Sequence, residues 1–283
     1  MSVARVLLAP LLLALAVSVG VLAPASRALA AFEPCPQISV VFFCTVDVGN
    51  ASITVGASDI EGRELGIEFW TSEGELHIVR HAYVLYDTAN QVFPSFLLVG
   101  LPVVDAVTRQ VFVQYMEENG DFQVMATFTF DESGNQTLLE EEIRIESFVE
   151  GVSSRLYAVN EFELGPEVFD QIVSATLGGA LITQIDGEWS STVESLTPPT
   201  SFETGFLTTL DSIVLGSPLE LNGNAAALGP ARLASAVAWD RDLDAGAETV
   251  IRMRKTVTLP EPASSVGLVA GLLALHCARP RRV

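Results

Sequence analysis

Basic residues are scarce in this sequence of 283 residues, and lysine is nearly absent. There are 15 lysines and arginines against 35 aspartates and glutamates, and Lys255 is the only lysine. So acidic a chain repels the phosphates of nucleic acids, and we therefore expect neither DNA nor RNA as a partner. The negative charge is compatible with solubility outside the cell, with binding of divalent cations and with a place in a polysaccharide matrix, and it does not distinguish among these three.

Cysteine and histidine are also rare, with three of each. The sequence has no G-x-S-x-G motif and no glycine-rich phosphate loop, which are signatures of serine hydrolases and of nucleotide-binding enzymes. His77 and His81 are spaced by four, but on a strand such side chains do not converge, and too few other ligands remain for zinc. These absences favour a protein that is not an enzyme and that holds no cofactor.

Residues 1–30 have the parts of a secretory signal peptide. Arg5 gives the positive start, a long apolar stretch follows, and Ala28 and Ala30 form a cleavage site of the A-x-A type. The alternative is a permanent N-terminal anchor, against which Pro24 and the small residues near the cleavage site argue. We therefore expect an exported protein.

Residues 259–283 contain three features in a fixed order. A motif of Pro260, Glu261 and Pro262 comes first and breaks any preceding strand. An apolar run, Val266–Leu275, follows, and it is shorter than the ~20 residues that usually span a bilayer. Three arginines, which hold such an end in the cytoplasm, then close the chain: Arg279, Arg281 and Arg282.

This tail resembles the PEP-CTERM sorting signal of bacterial exported proteins. The resemblance implies an exosortase-type membrane peptidase as a partner and a transmembrane sorting helix that holds the chain in the inner membrane until processing. It also implies a final place in the cell envelope, at the outer surface or outside the cell, with extracellular polysaccharide as a further candidate partner.

Between the two signals, residues 31–258 are predicted to form one all-β ectodomain. Phe122–Phe130 alternates apolar and polar positions, as does Leu138–Phe148, whose other face is rich in glutamate. Roughly a dozen such segments separated by turn residues predict an antiparallel β-sandwich. Pro166–Thr176, which opens on Gly165-Pro166 and closes at Gly178-Gly179, is predicted as the only helix, and Phe206–Leu210 is predicted as a strand.

A series of short motifs supports this fold. They are Tyr115…Asp121-Phe122, Glu141–Ile145, Asn160–Leu164, Gln184–Gly187 and Trp239-Asp240…Gly246. Their succession resembles a β-sandwich ectodomain that recurs among PEP-CTERM cargo proteins. The chain departs from that pattern at Arg241 and Met253, and the resemblance implies no activity. We therefore expect a structural or interaction component of the cell surface or matrix, with a glycan-binding module or a secreted hydrolase as alternatives.

Two small sets of residues carry hypotheses about chemistry. Cys35 and Cys44 remain once the tail is removed, and in an exported chain a disulfide between them is expected. Asp240, Asp242 and Asp244 alternate as at the start of an EF-hand calcium loop, but the positions that follow do not continue the motif. A Ca²⁺ site completed by other loops and a solvated strand end are both open.

The alternatives to a structural role make different demands on the fold. Trp70, Trp189 and Trp239 could stack on sugar rings if they are exposed, whereas aromatic residues on strands usually lie in a core. A hydrolase would need two carboxylates that converge in a cleft.

The tail yields the first prediction. Glu261→Ala should leave export intact but block maturation, because a processing peptidase reads the motif whereas a plain anchor depends only on apolar length and flanking charge. Uncleaved precursor should then accumulate in the membrane of a host that has an exosortase, as seen by immunoblotting of membrane and culture fractions. Replacing all three tail arginines with serine should instead weaken retention. Normal maturation of Glu261→Ala would show that the tail is a plain anchor.

Overall fold

The computed structural model describes residues 32–35, 37–38, 41–48, 51–58, 63–72, 75–162, 164, 171–229 and 232–258. Both predicted sorting segments lie outside these ranges, and so do the residues assigned to them: Ala28, Ala30, Pro260, Glu261, Pro262, Arg279, Arg281 and Arg282. In the described part of the chain, no helix is long and apolar enough to cross a membrane.

Most of the described chain consists of β-strands. The first ten are β1 (Phe32–Pro34), β2 (Gln37–Ile38), β3 (Val41–Val48), β4 (Ala51–Ser58), β5 (Leu65–Ser72), β6 (Glu75–Asp87), β7 (Phe96–Leu98), β8 (Val103–Asp105), β9 (Gln110–Glu117) and β10 (Phe122–Ser133). The others are β11 (Gln136–Ser147), β12 (Val152–Phe162), β13 (Ile172–Thr176), β14 (Leu181–Asp186), β15 (Trp189–Ser195), β16 (Ser201–Phe206), β17 (Ala226–Leu228), β18 (Leu233–Leu243) and β19 (Glu248–Thr258). A short 3₁₀ turn, Leu177–Gly179, follows β13, and helix α1, Leu207–Val214, follows β16.

Within the described residues these strands form two antiparallel sheets. The large sheet has 11 strands in the order β1-β8-β9-β10-β11-β19-β15-β14-β13-β17, with β7 also paired to β9. The small sheet has 8 strands in the order β16-β18-β12-β6-β5-β4-β3-β2. The prediction of a mostly β, antiparallel architecture is confirmed.

The two sheets pack face to face through one buried side of each. In β10, every second residue from Phe122 to Phe130 is buried, because successive side chains of a strand point to opposite faces. These residues share one apolar cluster with residues of the small sheet such as Ile53 and Val55. The backbone N–H of Gly66 in β5 also donates to the Tyr115 hydroxyl of β9 across the interface, at 3.1 Å. The main core therefore lies between the sheets.

Helix α1 covers the outer face of the small sheet and makes a second, smaller core. Its buried residues are Leu207, Leu210, Ile213 and Val214, and they pack against outward residues of β6, β12 and β18. The prediction of a strand over Phe206–Leu210 is therefore wrong from Leu207 onward. The spacing of these four apolar residues is helical, since positions three and four apart share one face of a helix.

The predicted helix over Pro166–Thr176 is also wrong in its second half. Residues 165–170 lie outside the described ranges, but Ile172–Thr176 is strand β13, hydrogen-bonded to β14 and β17. Val173 and Ala175 are buried while their neighbours are not, which is the period of a strand. The glycines expected to end a helix instead lie in the turn to β14.

The expected disulfide between Cys35 and Cys44 is present, with 5.0 Å between the two Cα atoms. Cys35 follows β1 of the large sheet, and Cys44 lies in β3 of the small sheet. The bond therefore joins the two sheets at one end of the sandwich.

Gly66 of the small sheet lies close to Phe128 of the large sheet, and substitution there should test the packing. Gly66 has φ +63°, and a Cβ there would lie 2.7 Å from Cζ of Phe128. Gly134 has the same φ of +63° but has no atom within 4 Å of such a Cβ. Gly134→Ala should cost about 1 kcal/mol from left-handed backbone alone, whereas Gly66→Ala should cost about 3 kcal/mol because overpacking adds to the backbone term. Urea unfolding measures both, and equal losses would contradict the packing described here.

Candidate functional site

An open groove of about 510 Å³ lies on the outward face of the large sheet. The outward side chains and loop residues that line it are Gln110, Thr127, Thr129, Glu140, Glu142, Leu196 and Arg252. Two hydroxyls, an amide, two carboxylates and a guanidinium therefore face one depression.

Strand register explains why these side chains meet. Thr129 of β10 lies opposite both Gln110 of β9 and Glu140 of β11. One step along, Glu142 of β11 lies between Thr127 of β10 and its partner in β19, Arg252. Residues that share a face repeat every second position, so the groove consists of two adjacent rows that cross neighbouring strands. Within the first row, Gln110 Nε2 donates to Thr129 Oγ1 at 3.1 Å.

Glu142 is fixed by two arginines. Its carboxylate accepts from Arg144 Nε at 2.9 Å and from Arg252 Nε at 2.8 Å. Partial burial acts to raise the pKa of Glu142, but the hydrogen bonds and charges of these arginines outweigh it and lower the pKa below its usual value. Glu142 is therefore an ionised carboxylate held in one orientation.

Glu140 is held in a similar way by the next arginine along. Its Oε1 accepts from Arg254 Nη2 at 2.7 Å, and Arg254 Nη1 also reaches Glu194 at 3.4 Å. The hydrogen bond to Glu140 is the main reason why the pKa of Arg254 is raised. Glu140 and Glu142 thus present two oriented carboxylates at alternate positions of one strand.

A second polar cluster lies between the sheets, where all of its members are buried. The large sheet contributes Glu141 from β11 and Lys255 from β19, and Lys255 Nζ lies 2.5 Å from Glu141 Oε1. The small sheet contributes His81, Tyr83 and Asn160. The Tyr83 hydroxyl donates to Glu141 Oε2, and His81 Nε2 lies 3.5 Å from the same oxygen.

His81 in this cluster is neutral. Burial lowers its pKa from the ordinary 6.5 to about 3, and the charge of Lys255 lowers it too, against the opposing effects of Glu141 and Asn160. His81 Nδ1 lies 2.7 Å from Asn160 Oδ1. Because an amide oxygen only accepts, Nδ1 carries the proton and Nε2 presents a lone pair towards Glu141.

Sequence reasoning missed this cluster, although a signal was present. Glu141 stands in the same phase as the buried Leu139 and Ile143 of β11, and Lys255 stands in phase with Met253 and Val257 of β19. A charged residue at an apolar position of an alternating strand indicates a buried charge, which requires a partner.

The aspartates considered for calcium have other partners. Asp240 accepts from Arg155 Nε at 2.5 Å and Nη2 at 3.3 Å, and Asp242 accepts from Ser153 Oγ at 2.5 Å. Asp244 is exposed at the end of β18. Among the described residues, no group of three or more His, Cys, Asp or Glu side chains could hold a metal ion. The calcium hypothesis stays a prediction that this geometry does not strengthen.

The tryptophans do not form an exposed sugar-stacking row. Trp239 is fully buried, and its indole Nε1 donates to the Thr197 carbonyl at 2.9 Å. Trp189 is partly buried and packs against the main core. The side chain of Trp70 is not among those described. A glycan-binding surface made of stacked tryptophans therefore has no support from Trp189 and Trp239.

Comparisons with known proteins give a likeness of fold. No family model and no curated protein matches the sequence. A putative aldose 1-epimerase of Escherichia coli K12 superimposes with a TM-score of 0.50 at 8% identity, covering 77% of this chain and 100% of that one. A Synechocystis sp. PCC 6803 protein gives 0.48 at 8% identity, with 80% and 98% coverage. A bacterial glucoamylase gives 0.46 at 7% identity over 84% of this chain and 37% of its own.

The likeness to the putative aldose 1-epimerase corrects two expectations from the sequence. A structural or interaction component that is not an enzyme was expected, yet the arrangement of strands matches that of a putative sugar epimerase over its whole length. The secreted-hydrolase alternative is closer to this finding than the main expectation was. At 8% identity the likeness shows the fold alone, so any activity has to be argued from the side chains.

The buried, neutral His81 should make stability depend on pH. Its pKa is about 3 in the folded protein and near 6.5 when unfolded, so between these values the unfolded state binds more protons. Stability should fall as the pH drops from 6.5 towards 3, by about 1.4 kcal/mol per pH unit at most. Glu141 and Lys255 face the ring and remain in a His81→Gln variant, which therefore serves as the control.

Urea unfolding at pH 7 and pH 4.5 measures this dependence. Wild type should lose about 2 kcal/mol more between these two pH values than His81→Gln does. Equal losses in the two proteins would mean that His81 does not titrate as its burial requires.

Proposed function

We propose that the ectodomain is a sugar-processing enzyme that acts at the anomeric carbon of a sugar bound in the groove of the large sheet. The observation that carries the proposal is the pair of oriented carboxylates, Glu140 and Glu142, in a depression lined by hydroxyl and amide groups. The fold shared with a putative aldose 1-epimerase supports the choice of a sugar as the substrate.

The groove has the donors and acceptors that a sugar ring requires. Thr127, Thr129 and Gln110 can donate and accept hydrogen bonds, and Arg252 can donate them. A polyhydroxylated ring matches such a mixed lining, whereas an anion would be repelled by the two carboxylates.

Glu140 and Glu142 are alternate residues of β11, and this backbone spacing is compatible with chemistry at an anomeric centre. Alternate residues of a strand start about 7 Å apart. Inverting glycosidases hold their two carboxyl groups about 6.5–9.5 Å apart, which leaves room for a water molecule beside the sugar. Opening of a cyclic hemiacetal likewise needs one acid and one base near the ring oxygen and the anomeric hydroxyl.

Glu142 is assigned the role of the ionised carboxylate. Hydrogen bonds from Arg144 and Arg252 lower its pKa, so it stays charged at neutral pH and can accept a proton or stabilise positive charge at the anomeric carbon. Glu140, whose carboxylate is held by Arg254, is assigned the role of orienting the sugar by accepting hydrogen bonds from its hydroxyl groups.

The test combines an activity screen with two matched variants. Mutarotation of free sugars is followed by polarimetry, and hydrolysis of oligosaccharides is followed by reducing-end release. Glu142→Gln should lower the rate by about 100-fold or more, the usual effect of losing an acid or base group. Glu194→Gln is the control, because Glu194 also pairs with an arginine of this face but does not line the groove.

The pH profile adds an independent check. Because the pKa of Glu142 is lowered, the acidic limb of the rate profile should lie below the ordinary glutamate value of 4.5. A wild-type protein that neither binds nor converts any sugar tested, or a Glu142→Gln variant with full activity, would contradict the proposal.

We propose further that this enzyme acts outside the cytoplasm. The signal peptide of residues 1–30 and the PEP-CTERM-like tail of residues 259–283 support export, transient anchoring and processing by an exosortase-type peptidase. The substrate would then be an extracellular or envelope carbohydrate, and the Glu261→Ala experiment tests this placement separately from the activity.

A further inference from the structure

Lys255 occupies an unusual place for the only lysine of a protein. It is fully buried in the main core, with its Nζ 2.5 Å from Oε1 of an equally buried Glu141. Removing two charges from water is costly, and apolar residues of similar volume often stabilise a core as well or better. The proposed sugar chemistry lies on the opposite face of the sheet and does not use this pair.

Strand pairing holds the two side chains together. In the pairing of β11 with β19, Glu141 lies opposite Met253, and Leu139 lies opposite Lys255. Glu141 and Lys255 are therefore diagonal neighbours on the inward face of two adjacent strands. Such fixed proximity gives reacting groups effective concentrations of about 10⁵–10⁸ M.

The groups around Glu141 can donate protons to its carboxyl group and accept protons from it. The Tyr83 hydroxyl donates to Oε2, and the neutral His81 turns its Nε2 towards the same oxygen at 3.5 Å. Asn160 fixes the His81 ring by accepting from Nδ1. Since the relative exposure of the Glu141, Lys255 and His81 side chains is 0%, bulk water does not reach the reacting atoms.

We propose that Lys255 and Glu141 condense after folding to form an intramolecular isopeptide bond. The ammonium first loses one proton, which His81 Nε2 relays to Oε2, and this leaves a neutral amine and a neutral acid. The Nζ lone pair then attacks Cδ of Glu141 and forms the C–N bond, while the π pair of the C=O bond moves to Oε1. His81 Nε2 takes a second proton from the nitrogen and passes it to Oε2, and the pair on Oε1 re-forms the C=O bond.

The C–Oε2 bond then breaks, and Oε2 leaves as water with the hydrogen bond from Tyr83 assisting its departure. Oε1 remains as the amide oxygen. One ammonium and one carboxylate thus become one amide and one water molecule, with no oxidant, reductant or external group required. The product replaces a buried ion pair with a neutral bond that joins β11 to β19.

Intact-mass spectrometry of the denatured, disulfide-reduced protein decides the matter on wild type alone. The mature chain should be lighter than its sequence by one water molecule. Trypsin should release a branched peptide in which residues 110–144, which contain Glu141, are joined to a peptide that begins at Lys255.

Because the chain has a single lysine, amine labelling gives a second reading. The denatured mature protein should take up one amine-reactive label, at its N-terminus, whereas a free Lys255 would add a second. Lys255→Met, which keeps an unbranched side chain of similar length, should show the full mass of its sequence. An unmodified wild-type mass together with two labels would overturn the proposal.

His81→Gln separates a reactive role of the cluster from a merely structural one. With no ring nitrogen to relay the proton, the fraction of cross-linked chain after a fixed time should fall at least tenfold while the fold is retained. Full cross-linking of His81→Gln would show that His81 does not relay the proton. A wild-type mass equal to that of the uncross-linked sequence would overturn the bond itself.

Discussion

Burial of one face of each sheet against the other is the constraint on which the rest of the molecule depends. It forces the period of two seen in β10 and β11, where every second side chain enters the core and the others face outward. Any charged residue that points into the core must then find partners there, from its own sheet or from the opposite one. Glu141 contacts Lys255 of its own sheet and Tyr83 and His81 of the small sheet, so its partners come from both sheets.

The strand pair β11–β19 therefore carries two different chemistries on its two faces. Outward, glutamates alternate with arginines in solvent-screened pairs, each contributing little to stability by itself. There the arginines serve mainly to orient Glu140 and Glu142 in the groove. Inward, a single glutamate and a single lysine meet without water, where the same attraction is much stronger and proton transfer is easier. Neighbouring glutamates of β11 differ in reactivity because Glu140 and Glu142 face water whereas Glu141 faces the dry core.

Much of the fold could be predicted from the sequence, because alternation is a local property. Phe122–Phe130 lies in β10, Leu138–Ser147 lies in β11, and Cys35 and Cys44 are joined. Leu207–Leu210, the first half of helix α1, was misread as strand because its apolar spacing is helical only when all four buried residues of the helix are considered together. Ile172–Thr176 was misread as helix because two glycines follow it. The groove was out of reach, since Gln110, Glu142 and Arg252 meet only through a register that no single segment specifies. The phase of Glu141 and Lys255 indicated buried charges, but their partners depend on the same kind of register.

The position of β19 has a consequence for the order of events during synthesis. This strand is the last in the described chain, yet it lies between β11 and β15 in the middle of the large sheet. The large sheet has two halves, one made of β1 and β7–β11 and the other of β13–β15 and β17, and β19 is the strand that joins them. Until Glu248–Thr258 has been synthesised, the two halves cannot pair. Pairings between segments so distant in sequence form late. A chain threaded across a membrane from its N-terminus would therefore complete its large sheet only after Glu248–Thr258 had crossed.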